Sequence, residues 1–309
     1  MPLGAIDTNI VLVRSLKTRR ICHRKTYSCG LQGQYPHLQQ KGECKMKKEQ
    51  SKLERSLFAA LRQKARELFI SEAVVSETVS QVLQLAAVAD LSKKMMQRVG
   101  VALLHDNGHI FAPACPDYTH NNGVYTFRGV GGGVSLLAQL HIEFLKRVSA
   151  IIPNCRVTIL IADHEADDEA LCQAVGKTRE EFAALIDQSI GQTRAVVQSL
   201  GWEAEAMTTV IPDLVAREKT NMDLIRTDPR LKFRINNDMA ARITMYRRIN
   251  PRFSLADMTE RTIKTAAQYL AMGTIAAECQ LIVCNHSTVN LCWYKEAGAA
   301  VLHNPVSVY

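Results

Sequence analysis

Apolar side chains recur at helical spacing from residue 53 onward, with Leu53, Leu57, Leu61, Ala65 and Leu68 on one face. Ser51-Lys-Leu-Glu54 just ahead has the form of a capping box, so the pattern predicts a helix beginning at Ser51. A second helix is expected over about residues 72–89, and a short third ending near Val99. The rhythm then changes. Apolar runs at 101–104 and 110–112 flank His105-Asp-Asn-Gly-His109, and Asn-Gly supplies the positive φ angles of a tight turn, which predicts a β-hairpin. From residue 124 the order reads as a strand (124–127), a glycine run (129–133), an apolar helix (134–148) and a strand (157–162). A helix capped by Thr178 and Glu181 follows and stops at Gly201, and a strand is expected over 207–211. The last third gives a helix over 254–272, stopped by Gly273, and strands at 281–284 and 300–302.

Strands alternating with helices of this length indicate an α/β, Rossmann-like architecture: a mostly parallel sheet with flanking helices and a helical N-terminal layer. No repeat or low-complexity linker divides residues 51–309, which read as a single domain. Residues 1–50 show no periodicity and read as a disordered basic arm, or as an artefact if translation starts at Met46. They hold ten Lys or Arg against three acids, so most of the net charge of +8 sits there and the rest is near neutral. Overall charge is therefore a weak argument for nucleic acid. No apolar run is long enough to span a bilayer and no secretory signal is seen. Nine cysteines without a CxxC pair speak against a zinc ribbon and for a reducing cytoplasm; no metal or cofactor is expected.

Ligands of open parallel sheets bind beyond the carboxyl ends of the strands, and that rule selects the candidate chemistry. In Pro113-Ala-Cys-Pro-Asp-Tyr118 two prolines hold Cys115 at a strand mouth, as a nucleophile or as a buried turn cysteine. In Gly129-Val-Gly-Gly-Gly133 the amides around Gly131, Gly132 and Gly133 suit an anion or an ester carbonyl, although the run is neither a Walker loop nor a dinucleotide fingerprint. Asp163 opens an acidic cluster after the strand at 157–162 and is the candidate for a substrate amino group; Asp167, Asp168 and Glu169 read as a solvated first turn. Cys284-Asn-His-Ser-Thr288 places Asn285 and His286 at a strand tip, suited to substrate contact and proton transfer, with Tyr269 on the preceding helix. Between Arg226 and Arg252 eight arginines and lysines, among them Arg234, Arg247 and Arg248, face only Asp228 and Asp238; they read as a phosphate-tracking face or a solvated helix.

In the order of its elements the chain resembles the cyclodipeptide synthases, Rossmann-like relatives of class I aminoacyl-tRNA synthetase domains that join the amino acids of two aminoacyl-tRNAs into a diketopiperazine. The resemblance spans about residues 99–300 and lies in layout: a nucleophile loop at 113–118, an acid-tipped strand before a long helix at 157–200, and Tyr269 before a strand ending in Asn285-His286. The family's serine nucleophile is Cys115 here, the glutamate four residues after the helical tyrosine is Gly273, and Asn285 replaces the tyrosine beside His286. The resemblance implies that Cys115 accepts an aminoacyl group, Tyr269 positions its amine and His286 shuttles protons. A second likeness, to isocyanide synthases, rests on Pro113 to Asp117 and on Asp163. The expected function is tRNA-dependent peptide-bond formation yielding a dipeptide-derived small molecule. The alternatives are a small-metabolite synthase and a non-catalytic RNA-binding module.

Overall fold

The computed structural model describes residues 36–305 except 106–107, 116–117, 122–123, 128–132, 168, 170–171, 173–175, 212, 250, 278–279 and 286–287. For 36–48, 118–121, 124–127, 165, 245, 248–249 and 288–290 it describes the backbone alone. Helices α1 (Pro36–Glu67), α2 (Glu72–Ala89) and α3 (Lys93–Leu104) lead into strand β1 (His109–Ala114) and the hairpin β2 (Tyr118–Asn121) and β3 (Val124–Phe127). Then come α4 (Leu136–Ser149), β4 (Arg156–Ile161), a 3₁₀ turn (Asp163–Asp167), α5 (Arg179–Gln198), β5 (Glu203–Ala206) and the short α6 (Met207–Val210). Helices α7 (Leu214–Thr227), α8 (Pro229–Ile249) and α9 (Leu255–Ala276) precede β6 (Gln280–Asn285), α10 (Thr288–Glu296) and β7 (Ala300–Asn304).

The expected α/β, Rossmann-like sheet is present: five parallel strands in the order β5-β4-β1-β6-β7. Parallel strands need crossovers, and α4, α5 and α10 supply them with helices that cover the sheet. Because both faces are covered, the strands read as continuous apolar runs; Val157 to Ile161 and Leu281 to Cys284 are all buried. The N-terminal layer of α1–α3 packs on the β6–β7 side of the sheet. Between β5 and β6, helices α7, α8 and α9 build a second apolar cluster around Ile225, Leu231, Ile235, Ile263 and Leu270, closed by Trp293 of α10. Asp238 accepts the Trp293 indole N–H at 2.7 Å inside it. Among the described residues, no helix is long and apolar enough to cross a membrane.

Several local expectations give way to packing. Helix α1 begins at Pro36, a residue suited to a first helical position, so Ser51 lies inside it and its carbonyl accepts from Arg55 at 3.2 Å instead of capping. Residues 36–50 thus form helix where no periodicity was visible, because they carry few apolar side chains to register a face. Residues 101–104 continue α3, whose buried face runs through Val99, Ala102 and Leu104, so the segment before β1 joins a helix to a strand and is no hairpin arm. The hairpin is β2–β3 instead, and it stands outside the parallel sheet. The strand expected at 207–211 lies earlier, at β5, and Met207 opens α6.

Helix α9 runs through Gly273 because α10 crosses it there. A Cβ on Gly273 would stand 2.6 Å from the Ala297 Cβ and 3.4 Å from the Tyr294 Cα. Neither neighbour is the end of a flexible chain, so overpacking outweighs the gain in helix propensity of up to about 1 kcal/mol. Gly273→Ala is expected to destabilise by about 1–3 kcal/mol, measured as a lower urea midpoint at unchanged slope. The same contact leaves no room for the glutamate that the resembling family carries at this position.

Candidate active site

In this strand order the sequence turns back across β1, and the switch point lies between β1 and β6, where open α/β sheets take ligands. The two strands pair only from His109–Gln280 to Phe111–Ile282. Beyond that, β1 stays with β4 to Ala114–Ile161, and β6 stays with β7 to Asn285–Asn304. The cause is Pro113. The Gly108 and Ala114 carbonyls accept from Arg156 and Ala162 on the β4 side, so by alternation the Pro113 backbone faces β6, where it has no N–H to offer. Its carbonyl, released from the ladder, is taken by His141 Nε2 of α4 at 2.8 Å. One residue earlier on α4, the Leu140 carbonyl accepts from Asn304 Nδ2 at 3.2 Å. Helix α4 therefore holds the tips of β1 and β7 with the β6 tip between them.

Cys115 follows directly on β1 at this opening and is half-buried. Other thiols have structural roles. Cys172 and Cys284 donate to the carbonyls of Ala166 and Asn285, and burial pushes the Cys155 thiol up to about 11. Tyr269 on α9 meets Tyr294 of α10 edge-on, with ring centroids 4.9 Å apart. The Tyr294 hydroxyl is fully buried, which raises its pKa, and it lies within electrostatic range of Tyr269, Cys284 and Cys115. The expected pair Cys115 and Tyr269 thus faces one neighbourhood. Asn285, at the tip of β6, has both its amide nitrogen and its amide oxygen buried and unpartnered. His286, Gly131 and Gly132 lie outside the described residues.

Asp163 stands at the β4 tip, but its carboxylate is taken: Oδ1 accepts the Thr208 N–H at 3.0 Å and Oδ2 the Thr208 hydroxyl. It ties α6 to the sheet and has little left for a substrate amine. Asp167 pairs with Arg179. Next to Asp163, His164 is 8% exposed, and its Nε2 accepts from Gln268 Nε2 of α9 at 2.7 Å. Burial is the main cause of its lowered pKa, assisted by Lys264 and opposed by Asp163 and Asp167.

Two other expectations change. The glycine run does not follow a sheet strand, since β3 belongs to the hairpin, and Gly133 is exposed with its carbonyl accepting from Ser189 of α5 at 2.7 Å. Arg234, expected to meet phosphate, pairs with Glu296 at 3.0 Å and lies over the Trp293 ring at 5.2 Å. Arg226 pairs with Asp223 and Glu260, and Arg230 with Asp228 and Glu296. Arg247 is exposed near the end of α8; the Arg248 side chain is outside the description.

Sequence reasoning missed His164, Gln268, Tyr294 and His141. The strand-end rule that selected Asp163 reaches His164 one residue on, and Gln268 adjoins Tyr269. Tyr294 and His141 sit in apolar helical stretches with no local signal. No known family matches the chain, and no curated protein or solved structure matches it either.

Proposed function

We propose that this chain is a cytoplasmic acyl-transferring enzyme that takes aminoacyl groups from tRNA and makes a dipeptide-derived small molecule. The observation that carries the reading is the placement of the half-buried Cys115 thiol directly after the central strand, where Pro113 opens the β1–β6 crevice. Nucleophilic catalysis divides one difficult transfer into two easier ones. The Cys115 sulfur attacks the ester carbonyl of the aminoacyl-tRNA, the C–S bond forms, and the C–O bond to the terminal ribose breaks. The proton leaving the thiol passes to the ribose oxygen. The amine of a second aminoacyl-tRNA then attacks the thioester, the C–N bond replaces the C–S bond, and Cys115 recovers its proton; the free amine of the dipeptide next attacks the remaining ester carbonyl, and the second ribose oxygen leaves with the proton. Tyr269 positions the amine. His286 carries protons, and amides around Gly131, Gly132 and Gly133 stabilise the oxyanion in this scheme.

A small-metabolite synthase of the isocyanide-synthase kind is the second reading. It is favoured by the pairing of Arg226, Arg230 and Arg234 with acids of their own surroundings, which leaves less charge for a phosphate backbone. Salt separates the two, because each phosphate contact steepens the salt dependence of binding. Arg247→Glu is expected to weaken aminoacyl-tRNA binding and to lower the log–log salt slope by about 1, while Arg234→Met leaves that slope unchanged. Salt-independent binding of a small acyl donor in place of tRNA overturns the first reading. The direct test expresses the full chain in a bacterial host and compares extracts by mass spectrometry with a Cys115→Ala control. A new dipeptide-derived compound present only with the intact thiol is expected; the same compound in both cultures removes the thiol from the reaction.

A further inference from the structure

Buried polar atoms are almost always paired, so a group of unpaired ones between two strand tips calls for a ligand. Such a group lies on the α4 face of the β1–β6 gap. Continued past Phe111–Ile282, the register of these strands would set the Asn285 N–H on the Pro113 carbonyl. The strands part instead, and His141 reaches that carbonyl from α4, donating from Nε2 at 2.8 Å. Its ring therefore stands beside the tip of β6. Asn285 turns its side chain to the same face. It is in register with Asn304 of β7, register neighbours share a face, and Asn304 Nδ2 donates to the Leu140 carbonyl of α4. Cys284, one residue earlier, points the opposite way, into electrostatic range of Tyr294.

Three atoms of these two side chains are buried and unpartnered: His141 Nδ1, Asn285 Oδ1 and Asn285 Nδ2. Chemistry assigns their roles. A carbonyl only accepts, so His141 Nε2 carries the ring proton. The ring is 1% exposed and stays neutral, which leaves Nδ1 a bare acceptor. The Asn285 amide offers one donor and one acceptor side by side, whichever way it is turned. The complement of this set is an acceptor next to an amino group with two hydrogens. We infer that the recess between α4 and the β6 tip binds a primary carboxamide: ligand and Asn285 exchange two hydrogen bonds amide to amide, and the second N–H of the ligand donates to His141 Nδ1. Both side chains are neutral and the three atoms are buried, so the group they take is neutral and small. A carboxylate would bring a buried charge and no N–H for either acceptor. The Cys115 thiol belongs to the Tyr294 side of the sheet, so this is a second site that needs no thiol and goes beyond the acyl-transfer reading.

The test titrates the full chain, followed by saturation-transfer NMR, with propionamide and its near-isosteres propionate, butan-2-one and N-methylpropionamide. The ketone has no N–H, and in a trans amide the N-methyl group replaces the hydrogen that Asn285 would accept. Propionamide is expected to bind at least about tenfold more tightly than each isostere, the factor that a buried group left unpaired gives. In Asn285→Leu propionamide and butan-2-one bind within about twofold of each other. That variant melts at the same or a higher temperature, since leucine removes an unsatisfied amide from the free protein. Equal affinities of the wild-type chain for propionamide and the ketone, or no saturable binding of propionamide, overturn the inference and leave the acyl-transfer reading standing. A lower melting temperature for Asn285→Leu also overturns it, because the amide is then paired without a ligand. Cytosine and adenine, which set an amino group beside a ring nitrogen, are titrated alongside; tighter binding of either overturns the carboxamide assignment in favour of a nucleobase.

Discussion

Cys115→Ala abolishes product formation, a loss of roughly 10³-fold or more, the scale seen when a covalent nucleophile is removed. The fold survives the change, because Cys115 lies beyond the end of β1 and is half-buried, outside the apolar cluster of the sheet. The exposed Cys292 gives the matched control, and Cys292→Ser keeps full turnover. Thermal melts of the two variants should agree with the wild type, so that the difference in rate belongs to the thiol alone. Turnover by Cys115→Ala at more than a tenth of the wild-type rate contradicts a thioester route.

The second large effect is on stability and follows from His141. It is 1% exposed, donates from Nε2 to the Pro113 carbonyl, and buries Nδ1 with no partner, so a second proton would place a bare charge in the core. Burial lowers its pKa to about 4, outweighing the Pro113 bond, which acts in the opposite direction. In the unfolded chain the ordinary value is about 6.5. Between these two values the unfolded state holds more protons, so stability rises with pH across the window. The contribution is complete above about pH 6.5 and is lost as the pH falls toward 4, about 2 kcal/mol of it between pH 7 and pH 5. Burial shifts His109 and His164 in the same direction, so the whole chain loses more than this. His141→Gln keeps an N–H for Pro113 without the titration. Urea unfolding at pH 7 and pH 5 should show a fall about 2 kcal/mol smaller in the variant than in the wild type; equal falls would show that His141 is not the sensor. The link to the site is direct, since the carbonyl that His141 holds stands two residues before Cys115.

The sheet was legible in the sequence because buried parallel strands are written as short continuous apolar runs, as at Val157 to Ile161 and Leu281 to Cys284. The capping box at Thr178 and Glu181 marked its helix because both halves of the motif are local, and both bonds are made. Local signals failed where tertiary packing decides. Asn-Gly beside two apolar runs resembled a hairpin, yet the buried face of α3 extends to Leu104. Ser51 to Glu54 resembled a cap, yet α1 passes through it. The site shows the same division. The strand-end rule set Cys115, Asp163 and Asn285 at strand ends, where they stand in the structure, because position along a strand is local. It did not find that Thr208 occupies Asp163, that Glu296 occupies Arg234, or that Gln268 bonds His164. Those partners are 45, 62 and 104 residues away in sequence.

The most direct measurement of the central reading is the intact mass of the full chain after brief mixing with aminoacylated tRNA, followed by peptide mapping. The thioester route predicts a mass gain of one aminoacyl residue, localised to Cys115, discharged by hydroxylamine and absent from Cys115→Ala. An unmodified Cys115 under conditions in which product accumulates would contradict it.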